Sequence, residues 1–305
     1  RDKDADPHQV TKFVHDYQQQ LIQIADQSHP SVLKYGGGAK GLDVRILSKQ
    51  FLSVDLLVDT GEAMGANIIN TMLEAVSNWL SEQLTVETTM AILTNFADKA
   101  IVEVSGKVAM AKLGTKSLSG PQVAQKIADA SQIAQLDIRR ATTHNKGIMN
   151  GVDAAVMAFG NDWRAVESAA HAFAARSGSY QGLSTWEIDE DQLVGRMSLL
   201  VPIGFVGGAS KVLPLAGINK QIAQIYNSRE EMQVVAALGL AQNLAALKAL
   251  VTDGIQKGHM NLQLRSLALS NGTTMQELPV VVRKLQGMDH PSSQTVKEIL
   301  KILRR

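Results

Sequence analysis

The chain has 305 residues, 45% hydrophobic and 19% charged, enough for two domains with a sizeable core, which excludes a disordered polypeptide. Thirty Lys and Arg against twenty-nine Asp and Glu exclude a global field for nucleic acid or an anionic membrane, so an anionic ligand needs a local pocket. The absence of cysteine excludes disulfides, thiolate metal sites and a cysteine nucleophile, and accords with a reducing, cytoplasmic setting.

In chain order, Val10, Phe13, Val14, Tyr17, Leu21, Ile22 and Ile24 recur at helical spacing, which predicts one amphipathic helix over residues 9–26, ending near His29-Pro30. Gly36, Gly37 and Gly38 open a turn into Val44 and Ile46, and Leu52, Val54, Leu56 and Val58 alternate with mostly polar neighbours; these predict two antiparallel strands. Ile69, Met72, Leu73, Val76 and Leu80 share a helical face, and two further strands are expected at 90–93 and 101–108. Helix, two strands, helix, two strands describe a small α+β unit of about 100 residues, its sheet covered on one face by helices. Beyond Ser119-Gly-Pro121, where Ser119 or Gly120 can cap and Pro121 is tolerated in the first turn, the pattern is mainly helical.

A second sheet element is expected at 183–188 and 193–201 across the turn Asp189-Glu190-Asp191. The glycine-rich stretch GFVGGASKV at 204–212 leads to a long apolar helix at 230–251. A more polar tail of short helices follows, broken at Asn271-Gly272, Pro279 and His290-Pro291. No uninterrupted apolar run of about 20 residues is present to span a bilayer, and RDKDADPHQ lacks the apolar stretch of a signal peptide. The first residue is Arg rather than Met, which points to a processed piece or part of a longer polypeptide.

Chemistry concentrates in THNKGIMNGVDAAVMAFGNDWRAVESAAHAFAA, residues 143–175, which carries Lys146, Asn150 and Asp162 around two glycine-broken turns. Lys146 is expected at a loop-to-helix transition, where Gly147 lets backbone approach a ligand. A lysine there can stabilise an oxyanion as a point charge, and a solvated surface lysine fits the same pattern. Asp162, ahead of Trp163-Arg-Ala-Val-Glu, reads as a helix N-cap, or as a carboxylate beside Lys146 that keeps it ionised and relays protons. None of the seven histidines stands in an HExxH-like spacing, so no metal site is expected. His259 follows Gly258 at the start of the tail, where a mobile segment can deliver an imidazole as general acid; an exposed histidine without a role fits equally. Glu62-Ala-Met-Gly-Ala-Asn67, between an apolar strand and a helix, can present free N–H groups and a helix dipole to phosphate. It is not GxGxxG, and the strand order argues against a Rossmann unit.

Taken together, EAMGAN, ILTNFAD, THNKGIMNG, GNDWRAVE, VGGASK, GLAQNLAALKAL and GIQKGHM resemble, in order and spacing, the 3-hydroxy-3-methylglutaryl-CoA (HMG-CoA) reductases. The likeness is to the soluble bacterial class II type and runs from Asp6-Pro7 to the end of the chain. It implies an α+β fold with a small antiparallel-sheet nucleotide-binding domain at 1–98. A larger, mainly helical substrate domain, represented by its C-terminal part, would follow at 99–253, with a mobile C-terminal helical flap at 254–305. The implied reaction reduces HMG-CoA to mevalonate and CoA with two NAD(P)H, through an enzyme-bound thiohemiacetal and an aldehyde. The resemblance makes Lys146 the oxyanion-stabilising lysine, Asp162 the aspartate networked to it, and His259 the acid that protonates departing CoA thiolate. It places Arg140, Asn150, Asn95 and Gln242, with Asn243 beside it, at substrate-binding positions, Arg140 as partner of the free carboxylate. It places His29, Ser31, Glu62, Met64, Gly65 and Asn67 at cofactor-binding positions. A cytoplasmic homodimer or higher homo-oligomer is implied, with one subunit lending its nucleotide domain to its neighbour's site, and no metal, nucleic acid or membrane partner.

The family's Glu-Asn-x-Ile-Gly motif, which carries its catalytic glutamate, does not occur in these residues. The expectation is that roughly 100 or more upstream residues, about a domain's worth, supply it. Two departures concern the cofactor. Members that use NADH carry an aspartate ahead of the triple glycine, whereas His29 aligns there with Ser31 close by, which favours NADPH and leaves NADH possible. Glu62 stands where the family has the aspartate of DAMG. The alternatives are a non-catalytic CoA- or nucleotide-binding module that lacks the catalytic glutamate, and another acyl-CoA-using oxidoreductase on the same scaffold.

Overall fold

The computed structural model describes residues 6–84, 86–207, 212–252, 254–288 and 290–304, with the side chains of Tyr35 and of residues 255–262 left aside. The chain folds into two compact units, each assembled from three stretches. The first comprises Arg1–Val104, Ile148–Leu183 and Met197–Gly239; the second comprises Ser105–Gly147, Ser184–Arg196 and Leu240–Arg305.

The first unit opens with α1 (Pro7–Asp16), whose N-cap Asp6 accepts from the His8 N–H, and α2 (Gln18–Ser28). One helix was expected here. The break falls at Tyr17, whose ring packs 4.5 Å from Phe13 and 5.7 Å from Trp79, centroid to centroid. β1 (Gly38–Ile46) and β2 (Leu52–Asp59) pair antiparallel, as the alternation predicts, in a register that sets Gly38 opposite Asp59 and Val44 opposite Val54. Val44, Val54, Leu56 and Val58 pack on a core of Val10, Val14, Leu21, Ala25 and the α3 (Ala66–Gln83) residues Met72, Val76 and Leu80. Each of those α3 side chains contributes about 1.5–3 kcal/mol by leaving water. Met72→Ala, at a fully buried position, would cost about 2–5 kcal/mol.

The sheet expected over the first hundred residues does not form as predicted. Residues 90–93 are irregular, and the Leu93 N–H, which a strand would give to its neighbour, is donated to Asn70 Oδ1 at 2.9 Å. β3 (Ile101–Ala109) joins a separate three-stranded sheet in the order β3-β5-β4, with β4 (Ser184–Asp189) and β5 (Gln192–Leu200) connected through Glu190 at φ 54°. The hairpin β1-β2 is therefore two-stranded.

α4 (Gly120–Leu136) starts at a capping box in which Ser119 and Gln122 satisfy each other's end of the turn, with proline in the first turn. α5 (Ile138–Ala158), α6 (Trp163–Ala174), α7 (Pro214–Ile222) and α8 (Ser228–Val251) follow. α8 has the length and apolarity of a membrane span, but its first turn holds Glu230 and Glu231, and Val235, Ala236, Leu240, Asn243 and Leu247 along it are buried within the protein. Those features describe a core helix. In the second unit α9 (Ile255–Ser270), α10 (Leu278–Leu285) and α11 (Ser293–Leu303) share a core of Leu264, Ala268, Val281, Leu285, Val296 and Ile299. α9 ends at Asn271-Gly272 as expected, whereas Pro279 sits in the first turn of α10 and starts that helix instead of breaking one.

Candidate functional site

Two segments predicted to hold a nucleotide meet at one end of the hairpin. The triple glycine leads into β1 at Gly38, which pairs with Asp59 at the end of β2, and Asp59 leads into the turn 60–65. That turn is fixed by its own backbone and side chains: Thr60 Oγ1 donates to Ala63 O at 2.7 Å, and the Gly61 N–H donates to Asp59 Oδ1 at 2.9 Å. Gly65, at φ +87°, is the N-cap of α3, and a Cβ there would overlap the Thr60 side chain, so only glycine fits. α3 begins with no side-chain cap, so its first-turn N–H groups and positive dipole end have no side-chain acceptor. This donor set suits a phosphate group. Glu62 and Asn67 are exposed and Met64 half-buried. His29, the C-cap of α2, has its Nδ1 3.0 Å from Ser31 Oγ, so the two residues form one polar pair.

Lys146 lies inside α5, not at a loop-to-helix transition. Gly147 and Gly151 are helical, and the turn is made later, at Gly160 with φ +77°. Lys146 is exposed and makes no hydrogen bond or ion pair among the described residues, while His144 and Asn145 before it are buried. Arg140, half-buried and one turn earlier, has its pKa lowered from the ordinary arginine value by burial. The helix is held in the second unit by a neutral buried cluster. His144 Nε2 is 2.7 Å from Ser184 Oγ, and Asn243 Oδ1 on α8 accepts from both Ser184 Oγ at 2.8 Å and Trp186 Nε1 at 2.7 Å. Burial, reinforced by the Arg140 charge, pushes the His144 pKa down to about 4, so the ring is neutral at pH 7. Gln242 is half-buried next to Asn243.

In the first unit Asp162 is the N-cap of α6, as the sequence predicts: Oδ1 accepts from the Arg164 N–H at 3.0 Å and the Ala165 N–H at 3.4 Å. Asn150 and Asn95 are exposed. Just ahead of Asp162, Asn161 enters a charged cluster that was not anticipated. Its Nδ2 donates to Glu231 Oε1 at 2.6 Å, and its Oδ1 accepts from the Gly204 N–H at 3.0 Å. Lys220 Nζ forms an ion pair with Glu231 Oε2 at 2.9 Å and donates to Phe205 O at 3.0 Å. Lys220 is 6% exposed and Glu231 0%. Burial raises the Glu231 pKa, opposed by Lys220 and Asn161. The legible signal was a carboxylate and an amine interrupting apolar helical stretches, although only the fold shows that they pair. His259 falls in the backbone of α9, its side chain outside the described residues, as are Gly208, Ala209, Ser210 and Lys211 of the VGGASK motif.

The hydroxymethylglutaryl-coenzyme A reductase family model matches residues 2–264. The 3-hydroxy-3-methylglutaryl-coenzyme A reductase of Archaeoglobus fulgidus is 39% identical over 289 residues, covering 93% of this chain and 65% of that protein. A probable reductase of the same kind from Borreliella burgdorferi is 33% identical over 237 residues, covering 76% of this chain and 54% of that protein. In structure, the chain is similar to the class II 3-hydroxy-3-methylglutaryl-CoA reductase from Streptococcus pneumoniae bound to NADPH in open conformations. The TM-score is 0.79 and the identity 43%, over 99% of this chain and 74% of that one. The chain belongs to the hydroxymethylglutaryl-coenzyme A reductase family. It spans 65% and 54% of the lengths of the two curated relatives.

Proposed function

We propose that this chain is the cofactor-binding and lysine-bearing part of an HMG-CoA reductase that converts HMG-CoA to mevalonate and CoA. The observation that carries the reading is the family match over residues 2–264, a span that contains Lys146, Asp162 and His259. NADPH, when bound, supplies the hydride for each of the two reductive steps.

Lys146 offers an ammonium that is unpaired among the described residues, on a helix whose inner side is locked by the His144 cluster, which suits a point charge opposite a developing oxyanion. Asp162 Oδ1 caps α6 and lies 3.7 Å from Arg164 Nε, while Oδ2 makes no hydrogen bond among the described residues, so the carboxylate is anchored through one oxygen and offers the other to a second cation. His259 is proposed as the acid for the CoA thiolate. Arg140 is proposed to hold the free carboxylate of the substrate, with Asn150, Asn95 and Gln242 as further contacts. The uncapped α3 N-terminus behind Gly65 is proposed to take the pyrophosphate, with Glu62, Met64 and Asn67 in the same cofactor turn, and the His29–Ser31 pair the ribose 2′-phosphate. A cytoplasmic homo-oligomer is part of the same reading.

The test is loss of nicotinamide absorbance with HMG-CoA and NADPH or NADH, using the complete product of the gene. Turnover is expected with NADPH at least as fast as with NADH, and Lys146→Ala is expected to lower kcat by about 100-fold or more while the fold is kept. Turnover unaffected by Lys146→Ala would overturn its role, and no turnover by the complete product would overturn the reductase reading. His29→Asp is expected to shift preference toward NADH; an unchanged ratio would remove His29 from the cofactor site.

A further inference from the structure

Within the first unit, the hydrogen bonds around Glu231 close into a ring. Glu62 Oε2 accepts from the Ser228 N–H at 2.6 Å, at the start of α8. Three residues on, Glu231 holds Asn161 Nδ2, and Asn161 Oδ1 holds the Gly204 N–H. The adjoining Phe205 and Val206 N–H groups return to Glu62 O at 2.8 and 3.0 Å, and Ala63 pairs with Val206 as a parallel bridge. Gly204 allows that approach, since a Cβ there would overlap the Met64 backbone nitrogen. Lys220 crosses the ring, bonded to Phe205 O and ion-paired with Glu231. A closed ring transmits displacement in both directions, because each member is tied to its neighbours by a hydrogen bond or by the chain itself.

Asn161 immediately precedes Asp162, and Glu62 lies three residues ahead of the Gly65 cap of α3. We infer that the first turn of α8 is a positioning device that ties the turn carrying Asp162 to the proposed nucleotide turn, with Glu62, Asn161, Lys220 and Glu231 as positioning residues. Glu62, one methylene longer than aspartate, has the reach to cap α8, which gives the departure from DAMG a physical purpose in this chain. The catalytic consequence rests on the reductase reading; the coupling of the two turns does not.

Hydrogen exchange by mass spectrometry on the whole chain tests the coupling without any ligand. Asn161→Ala is expected to speed exchange about tenfold both at 160–165 and, through the ring, at 62–68, and Glu62→Asp is expected to speed it at 62–68 and, through the ring, at 160–165, while the core amides of α3 at 72–80 keep the parent rate. Acceleration confined to the substituted turn would overturn the inference, as would equal acceleration at 72–80, which marks general loosening. Kinetics of the complete product add a second readout with Lys220→Met/Glu231→Leu, which removes both charges together and keeps the volume. A positioning role predicts a melting temperature near the parent's with the NADPH KM raised and kcat lowered several-fold; parent-like kinetics would make the ring merely structural. If the parent turns nothing over, the reductase reading fails while the exchange results still decide the coupling.

Discussion

The two units each bury a polar cluster, and the clusters are built on opposite principles. The one beneath Lys146 is neutral: a histidine, a serine, an asparagine and a tryptophan share hydrogen bonds with no formal charge. The one ahead of Asp162 is charged, a lysine and a glutamate with almost no exposure, bridged by an asparagine. A neutral cluster loses little when one member goes, provided its donors find other acceptors, but it reacts to pH once its histidine gains a proton. A charged pair is insensitive to moderate pH while both partners are present, and fails badly when one is removed, because the survivor is a buried uncompensated ion. The same task of fixing a short segment beside a proposed catalytic residue is thus met with different vulnerabilities.

The largest effect expected from this contrast is in the charged cluster. Glu231→Ala leaves Lys220 buried without a counter-ion and should cost about 3–5 kcal/mol in urea unfolding. A loss below about 1 kcal/mol would mean that the ammonium escapes to water and that the pair is not the anchor it looks like.

The neutral cluster should answer to acid instead. The folded-state pKa of His144 is depressed to about 4, below the ordinary histidine value of 6.5, so its contribution is fully present above pH 6.5 and is lost as pH falls from there toward 4. That window of 2.5 units at about 1.4 kcal/mol per unit amounts to about 3 kcal/mol. Unfolding curves of the parent and His144→Asn at pH 7 and pH 4.5 should diverge at pH 7 and converge at pH 4.5; a constant gap would show that the ring is not held neutral by the fold.

Removing the shared acceptor comes next in size. Asn243→Ala strands the Ser184 hydroxyl and the Trp186 N–H together, and about 2 kcal/mol is expected, read from the denaturation midpoint. A near-zero change would mean that water replaces the amide.

How much of this was legible in the sequence follows from the range of each interaction. The hairpin, the start of α4 near Ser119 and the Asp162 cap were readable because alternation and caps act over a few residues. The strand at 90–93 was misread because a strand exists only with a partner, and Asn70, 23 residues away, took the Leu93 N–H. Lys146 was placed at a helix start because Gly147 follows it, but Gly147 meets only Ala246 Cβ at 3.6 Å, an ordinary contact, and the helix runs through. The Asn161–Glu231 bond spans 70 positions and the Glu62–Ser228 bond 166, distances over which no local pattern carries information.

A second carboxyl sharpens the contrast, because it is half-buried without a cation bonded to it among the described residues. Asp153 on α5 has one oxygen buried with no partner among the described residues, and it shares a hydrogen bond with Glu167, which in turn is 2.7 Å from His171 Nε2. Burial, then the bond to Glu167 and its charge, push the Asp153 pKa up to about 7. A raised carboxyl pKa means that the folded state keeps a proton the unfolded chain has already released. Stability therefore falls as pH rises from about 4 through 7 and stays low above it. Asn in place of Asp153 imitates the protonated form at every pH, so the variant should gain on the parent with rising pH: a small difference at pH 5, and a melting temperature higher by roughly 1–2 °C at pH 8. If Asp153→Asn gains nothing at pH 8, the carboxylate is tolerated there without a bonded cation, and burial at this position does not hold the proton on the folded state.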